Sequence, residues 1–380
     1  MALKDARRRG RVIVLAAPTA PVARLIAIVK LDDVRDLGVA RRRPQPYLGY
    51  SNSSSAGHAA NGSGLRAGLS PPGFDGTSYT TSGVVFRVQW VRVDLEAAEI
   101  EEFVAAPGPF DALYAHWERH QWSPLEIDFS IDAESFAALD ETTRSGLVWV
   151  FAHRFHAEFN VAVLLAPFLL AAPDYDVRLL LATQVADEHR HIQSVLRVYS
   201  EVFGVRGGIE AVKPLADARL DPVAASLYEA LDGVVRALEE SRDEDTFLRA
   251  VVAYHLLAEG SIGRANQTFV AARFDRVGSF PGLREAQRLA VRDEVRHIGI
   301  GVSYARRRLL RDGQPARALI SELVDGFQAL GETLLASTSS DLSRDFLGAY
   351  GAEPATLWAE VQHQLQLRLR SIGLASTPAS

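Results

Sequence analysis

The 380-residue chain contains no cysteine, which excludes disulfides, zinc–thiolate sites, iron–sulfur clusters and thiol nucleophiles together. Any metal it holds must rest on histidine, aspartate and glutamate. Also missing is an uninterrupted apolar run of the ~18 residues that a spanning helix needs, so no membrane span is expected. There is no basic excess either: 41 Lys and Arg stand against 47 Asp and Glu, a formal charge of -6. Nothing in that balance favours nucleic acid or another polyanion. What is present is the composition of a globular protein, 48% hydrophobic and 23% charged, enough to bury one large core or two modest ones. The opening stretch MALKDARRRGRVIVLAAPTAPVA mimics a secretory signal, but Pro18 and Pro21 interrupt its apolar run and Arg24 follows. The expected location is the cytoplasm.

The chain changes character near residue 95. Residues 1-95 include Arg41 to Arg43, the run SNSSSAGHAANGSG from Ser51 and SPPG at Ser70, and read as a low-complexity, poorly structured N-terminal extension. Within it GVVFRVQWVRVDL, Gly83 to Leu95, alternates apolar and polar residues and predicts a short strand at 83-95. Residues 96-380 read as all-α. The 3.6-residue periodicity predicts long helices at about 140–171, 175–203, 221–240, 244–273, 282–311 and 315–337, with a shorter one at 354–370. Asp140 is a predicted N-cap, Gly204 and Gly207 to Gly208 stop the second helix, and Pro281 with Gly282 opens the fifth. Several helices of about 30 residues with short connections predict a bundle.

Two of these helices carry the same device. ADEHRH supplies Glu188 and His191, and RDEVRH supplies Glu294 and His297; at i and i+3 each pair projects from one helix face. The preceding helix in each case carries a lone glutamate in an apolar run, Glu158 in FAHRFHAEFNVAVLLAPF and Glu259 in VVAYHLLAEGSIG. Two helical hairpins of one design, each Glu then Glu-x-x-His, are the pattern by which four-helix bundles hold a dinuclear metal centre. Carboxylates bridge hard cations and neutral imidazoles complete a site for iron or manganese. The competing reading is a polar core or interhelical salt bridges using Arg190, Arg292 or Arg296.

From about Trp122 onward the chain resembles the small-subunit family of ribonucleotide reductase, a ferritin-like fold, and within it the ligand-binding oxidases. The resemblance begins at QWSPLEIDFS, Gln121 to Ser130, runs through the four ligand-bearing helices and reaches DLSRDFLGAY at Asp341. It implies a ferritin-like four-helix bundle core with additional helices, with Glu158, Glu188, His191, Glu259, Glu294 and His297 as metal ligands. In the reductase subunits a radical-bearing tyrosine lies four residues after the first ligand histidine; here that position is Val195. In the oxidases a valine three residues after the first ligand and a tyrosine five before the fourth become joined by an ether cross-link. Val161 and Tyr254 occupy those positions.

The resemblance therefore implies an oxygen-activating oxidase or oxygenase with a Mn/Fe or Fe/Fe cofactor and O2 as co-substrate. It further implies a hydrophobic, carboxylate-bearing ligand such as a long-chain fatty acid, and a homodimer. A tyrosine-free reductase subunit, ferritin-like metal storage and a metal-free helical scaffold are the alternatives. Gly260, Gly263, Gly299 and Gly301 either widen a ligand channel or allow close helix packing. Asp293 resembles the family aspartate that receives a ligand histidine's second N–H, while Asp187 reads as a solvated or salt-bridged neighbour. His255 and Gln184, each one turn before a ligand glutamate, are expected to hydrogen-bond near the metals without ligating them, and His189 to lie off the ligand face.

Overall fold

The computed structural model describes residues 80–81, 84–85, 102–220, 222–277, 279–337 and 354–374. The chain divides into two compact units, Asp36–Asp94 and Met1–Arg35 with Leu95–Ser380. In the first, β1 (Thr80–Thr81) pairs antiparallel with β2 (Val84–Val85), Thr80 opposite Val85. The predicted strand at 83-95 thus meets a described strand only at Val84–Val85, and its remainder lies outside the described residues, as does the low-complexity stretch before Thr80.

The second unit contains α1 (Phe110–Arg119), α2 (Ser130–Ala138), α3 (Glu141–Ala171), α4 (Tyr175–Arg197), α5 (Gly208–Asp217), α6 (Pro222–Ser241), α7 (Glu244–Val251), α8 (Arg264–Val277), α9 (Pro281–Asp312), α10 (Gln314–Ser337) and α11 (Pro354–Ser371). Helix starts follow the local chemistry. Asp140, Asp174 and Asp243 accept from the backbone N–H groups of Thr143, Val177 and Thr246, taking up donors that a first turn leaves unpaired. Gly204, Gly207 and Gly208 all have positive φ and end the α4 run. The long helix predicted from 244 is not uniform: between α7 and α8 lies a π-helical segment, Val252–Gly263. Its wider turn shows in the Ser261 hydroxyl, which donates to the carbonyl of Leu256 five residues earlier. A second π turn, Val198–Val202, follows α4.

α2 was absent from the periodicity and has a structural task. Its Asp132, fully buried, accepts from the N–H groups of Gly282 and Leu283 at 2.8 Å each, capping α9 from a distance of 150 residues in sequence. A Cβ on Gly282 would fall 2.5 Å from the Asp128 carbonyl and 2.8 Å from Asp132 Oδ2, so only glycine admits this contact.

The bundle core, built from α3, α4, the π segment and α9, has two large apolar clusters among the described residues, beside a small one of Leu113, Leu180 and Ile300. One takes Leu164, Leu165 and Phe168 of α3, Val177 and Leu181 of α4, Tyr254 and Leu257 of the π segment and Val302 of α9. The other takes Trp149, Phe151 and Phe155 of α3, Val195 of α4, Val270 of α8 and Leu283 and Leu289 of α9. At about 1.5–3 kcal/mol per fully buried large side chain, these clusters supply the driving force that encloses the polar layer between them. α3 is the one described helix long and apolar enough to cross a membrane, but half of that window is buried inside the protein. Its apolarity is that of a core helix.

Candidate metal centre

Glu158 (α3), Glu188 and His191 (α4), Glu259 (π segment) and Glu294 and His297 (α9) converge in that layer. Their ligand-type atoms form two overlapping groups, Glu158–Glu188–His191–Glu294 and Glu188–Glu259–Glu294–His297, within each of which all atoms lie within 4.8 Å of one another. Glu188 and Glu294 belong to both. His191 Nδ1 lies 3.1 Å from Glu158 Oε2, 3.3 Å from Glu188 Oε2 and 3.5 Å from Glu294 Oε1. His297 Nδ1 lies 3.1 Å from Glu188 Oε1, 3.6 Å from Glu294 Oε2 and 3.9 Å from Glu259 Oε1. The shared carboxylates face one histidine with one oxygen and the other histidine with the second.

The back of each imidazole is held crosswise. Asp293, beside Glu294, stands 3.3 Å from His191 Nε2, and Asp187, beside Glu188, stands 3.2 Å from His297 Nε2. A carboxylate behind Nε2 fixes a proton there and aims the Nδ1 lone pair inward. Trp122 Nε1 donates to Asp293 at 2.7 Å and Trp117 Nε1 to Asp187 at 2.9 Å. Of the two readings of Asp187, solvated or salt-bridged, the second holds: it is fully buried and pairs with Arg296 at 2.5 Å and Arg190 at 3.0 Å, and its bond to His297 was not anticipated. The repeated DE-x-x-H in both helices carried this information, since it places an aspartate before each paired glutamate.

Electrostatics around the cluster are those of a site short of positive charge. Burial pushes the Glu188 carboxyl up, but the imidazoles of His297 and His191 more than reverse this and hold it far below the carboxylate range. Burial favours the neutral form of His191 and His297, yet the carboxylates around them, Glu158 and Asp293 for one and Glu188 and Asp187 for the other, raise both well above an ordinary histidine. Glu259 is raised by burial and by Glu294 and Glu188, and Glu294 by burial and Glu188. Protons here occupy the place of cationic charge. Glu259 Oε2 and His297 Nδ1 are buried without a hydrogen bond of acceptable geometry, orphaned atoms that a cation would satisfy. Four carboxylates and two imidazoles, without sulfur, suit a pair of iron or manganese ions.

Tyr254 is buried among these groups, its hydroxyl donating to Glu259 Oε1 at 2.7 Å. The five-residue turn of the π segment brings Tyr254 under Glu259; a regular helix would match i with i+4. Gln184 Nε2 donates to Glu259 Oε1 at 3.0 Å, and His255 Nε2 meets Gln184 Oε1 at 3.0 Å. Burial and the charge of His297 lower His255 to about 3, so it is a neutral ring in this network. Val161 is half-buried and packs on the apolar cluster that contains Tyr254. His189 is exposed and bonds the Val185 carbonyl. Gly260 and Gly301 are close-packed: an added Cβ on Gly260 would fall 2.7 Å from the His255 carbonyl of its own π segment and 3.2 Å from the Arg368 side chain of α11, and one on Gly301 2.3 Å from His255 Cβ. Gly299 meets Pro107 and Leu113, and no channel opens at these three positions.

Sequence reading missed Arg154, one turn before Glu158, whose guanidinium Nη2 sits 2.9 Å from Glu158 Oε1. The i, i+4 spacing was the available signal.

No family model matches the chain. Among solved structures, similarity is to R2-like ligand-binding oxidases with a reconstituted Mn/Fe cofactor. A glycine-to-leucine variant is 22% identical, with TM-score 0.61 over 71% of this chain and 95% of its own. A valine-to-alanine variant gives 21% and 0.60 over the same shares, and a tyrosine-to-phenylalanine variant 21% and 0.59 over 70% and 94%. The chain has the R2-like ligand-binding oxidase fold.

Proposed function

We propose that the protein is an oxygen-activating dimetal oxidase or oxygenase. The observation that carries this is the pair of overlapping ligand sets sharing Glu188 and Glu294, with both Nδ1 atoms turned inward. Glu158, Glu188, His191, Glu259, Glu294 and His297 would hold a Mn/Fe or Fe/Fe pair. When bound, such a pair supplies redox chemistry toward O2. The chain's own residues supply the rest. Asp187 and Asp293 set the histidine tautomers, the flanking apolar clusters exclude water, and Tyr254 keeps a phenolic proton on Glu259 in a buried setting that raises it well above an ordinary tyrosine.

An ether cross-link between Val161 and Tyr254 belongs to the same proposal. Its support is spacing: the oxidases of known structure include variants at a glutamate and at a valine three residues after it, the offset of Glu158 and Val161. Formation removes two hydrogens, which intact mass measures directly. Val195 lies in the apolar core where the reductase branch keeps its tyrosine, so the oxidase reading is preferred. A homodimer also belongs here: on the outer face of α3, Val163 and Leu170 are 52% and 62% exposed, two turns apart, as an apolar seam for a second copy.

The test is elemental analysis of protein loaded anaerobically with iron and manganese and then exposed to oxygen. Two metals per chain, lost in Glu188→Ala, and oxygen consumption on adding reductant are expected. Folded protein with less than one metal per chain would sink the reading.

A further inference from the structure

Each ligand histidine is backed by an aspartate and then by a tryptophan, but the two lines end differently. Behind His191, Asp293 accepts from Trp122 Nε1 at 2.7 Å, and the guanidinium of Arg190 lies over the Trp122 ring at 5.3 Å. A cation held by the electrons of a ring face opposes the loss of one of them. Behind His297, Asp187 accepts from Trp117 Nε1 at 2.9 Å. Trp117 lies one turn of α1 beyond Tyr114, with the ring centroids 5.9 Å apart, a separation typical of aromatic pairs in contact. Tyr114 Oη in turn donates to Glu118 Oε1 at 2.5 Å, the short bond of a hydroxyl to a charged acceptor. Tyr114 and Trp117 are half-buried and Glu118 is exposed. A line of contacts thus runs from His297 through Asp187, Trp117 and Tyr114 to Glu118 at the surface. Indole and phenol give up single electrons readily, and a phenol does so more easily when a carboxylate stands ready for its proton.

We propose that Tyr114, Trp117 and Asp187 form a one-electron conduit between the surface of α1 and the His297 half of the cluster, with Glu118 as its proton acceptor. Tyr114 gives one electron, by way of Trp117, to the metal pair oxidised by O2, and its phenolic proton moves to Glu118 Oε1. The products are a neutral tyrosyl radical, a protonated Glu118 and a pair reduced by one electron, so atoms and charge balance. A one-electron reductant in solution then returns an electron to Tyr114, and Glu118 returns the proton. Trp122, under the Arg190 guanidinium, is not part of the route. That the conduit ends on a metal pair rests on the oxidase reading.

The test loads the full chain with iron and manganese, exposes it to oxygen without reductant and freezes it rapidly for electron paramagnetic resonance, with metal content measured in each sample. A tyrosyl signal is expected, absent in Tyr114→Phe and reduced at least tenfold in Trp117→Phe; ring-deuterated tyrosine should narrow its splitting. Reduction of the oxidised pair by ascorbate, followed by absorbance, should slow at least tenfold in both variants. Tyr114→Phe leaves the bond of Trp117 to Asp187 in place. With full metal content and an unchanged melting temperature, that variant separates lost electron transfer from a disturbed His297. Wild type that holds two metals and shows no tyrosyl signal, or a signal and reduction rate unchanged in Tyr114→Phe, overturns the conduit and leaves the oxidase reading standing. Loss of both in Trp122→Phe but not in Tyr114→Phe would put the route behind His191 and overturn it as well. Wild type that takes up no metal removes the oxidase reading and the conduit with it.

Discussion

The two halves of the cluster share Glu188 and Glu294 and differ in how the fifth and sixth residues are held. Glu158 rides on a regular turn of α3, tied to the partly exposed Arg154, with a cavity alongside. Glu259 rides on a π turn, tied to the neutral donors Tyr254 and Gln184 and sealed by His255. A cation on a long side chain can let go of its carboxylate at small cost when another charge arrives; a buried network of neutral hydrogen bonds resists rearrangement. Near-symmetric ligand sets in unequal surroundings are chemically distinct sites. The Glu158 side is the adaptable one and the Glu259 side the fixed one.

The largest effect expected is removal of what the halves share. Glu188→Ala or Glu294→Ala should abolish both metals, taking elemental analysis from two per chain to below one. Glu158→Ala and Glu259→Ala should each remove one metal and leave the other, so equal loss of both metals in either variant would break the two-site comparison.

Next comes Asp187→Asn, which leaves Arg296, 1% exposed, without its carboxylate. A buried ion pair broken on one side costs about 3–5 kcal/mol, seen as a lower denaturant midpoint, and metal affinity should fall about 10–100-fold. Asp293→Asn should show a similar fall in affinity with a smaller stability loss, because the cation within reach, Arg190, is less buried, at 12% exposed.

Metal uptake should also depend on pH, with a definite sign. Folded His191 and His297 lie well above the ordinary histidine value and Glu259 and Glu294 above the ordinary carboxylate. The metal-free cluster therefore holds protons at neutral pH that a metal must expel, so affinity rises with pH. Chelator competition at pH 6 and pH 8 should differ at least about tenfold, and calorimetry in buffers of different ionisation enthalpy should register proton release. The same shifts act on metal-free stability in opposite directions. The histidine contribution is present below an ordinary histidine pKa and lost as pH rises through the raised one, while that of Glu188 is lost as pH falls toward its lowered value.

The smallest effect belongs to Tyr254→Phe. One hydrogen bond to Glu259 is lost while Gln184 still donates, a change of about 1 kcal/mol, and the two-hydrogen mass loss after oxygen exposure should disappear.

The ligand pattern was legible because it is local: Glu-x-x-His places two side chains on one helix face wherever the helix packs, and two such helices with a lone glutamate before each leave few alternatives. The helix limits were legible for the same reason, from Asp140, Pro281 and the glycines after α4. α2 escaped notice because Asp132 acts on α9 across 150 residues, a contact with no periodic signature. The π turn at Val252–Gly263 was hidden as well, since a run as apolar as VAYHLLAEGSIG suits α and π geometry alike.

By itself, then, the sequence determined a cysteine-free helical bundle with six carboxylates and imidazoles on its inner faces, because side-chain direction follows from helical spacing alone. Only the tertiary structure decided that Asp187 serves the histidine of the other helix, that Gly301 is filled by His255, and that Arg154 and Gln287 border a cavity. Each of these is a contact between helices, fixed by which faces the two apolar clusters press together, and no spacing along one helix encodes it.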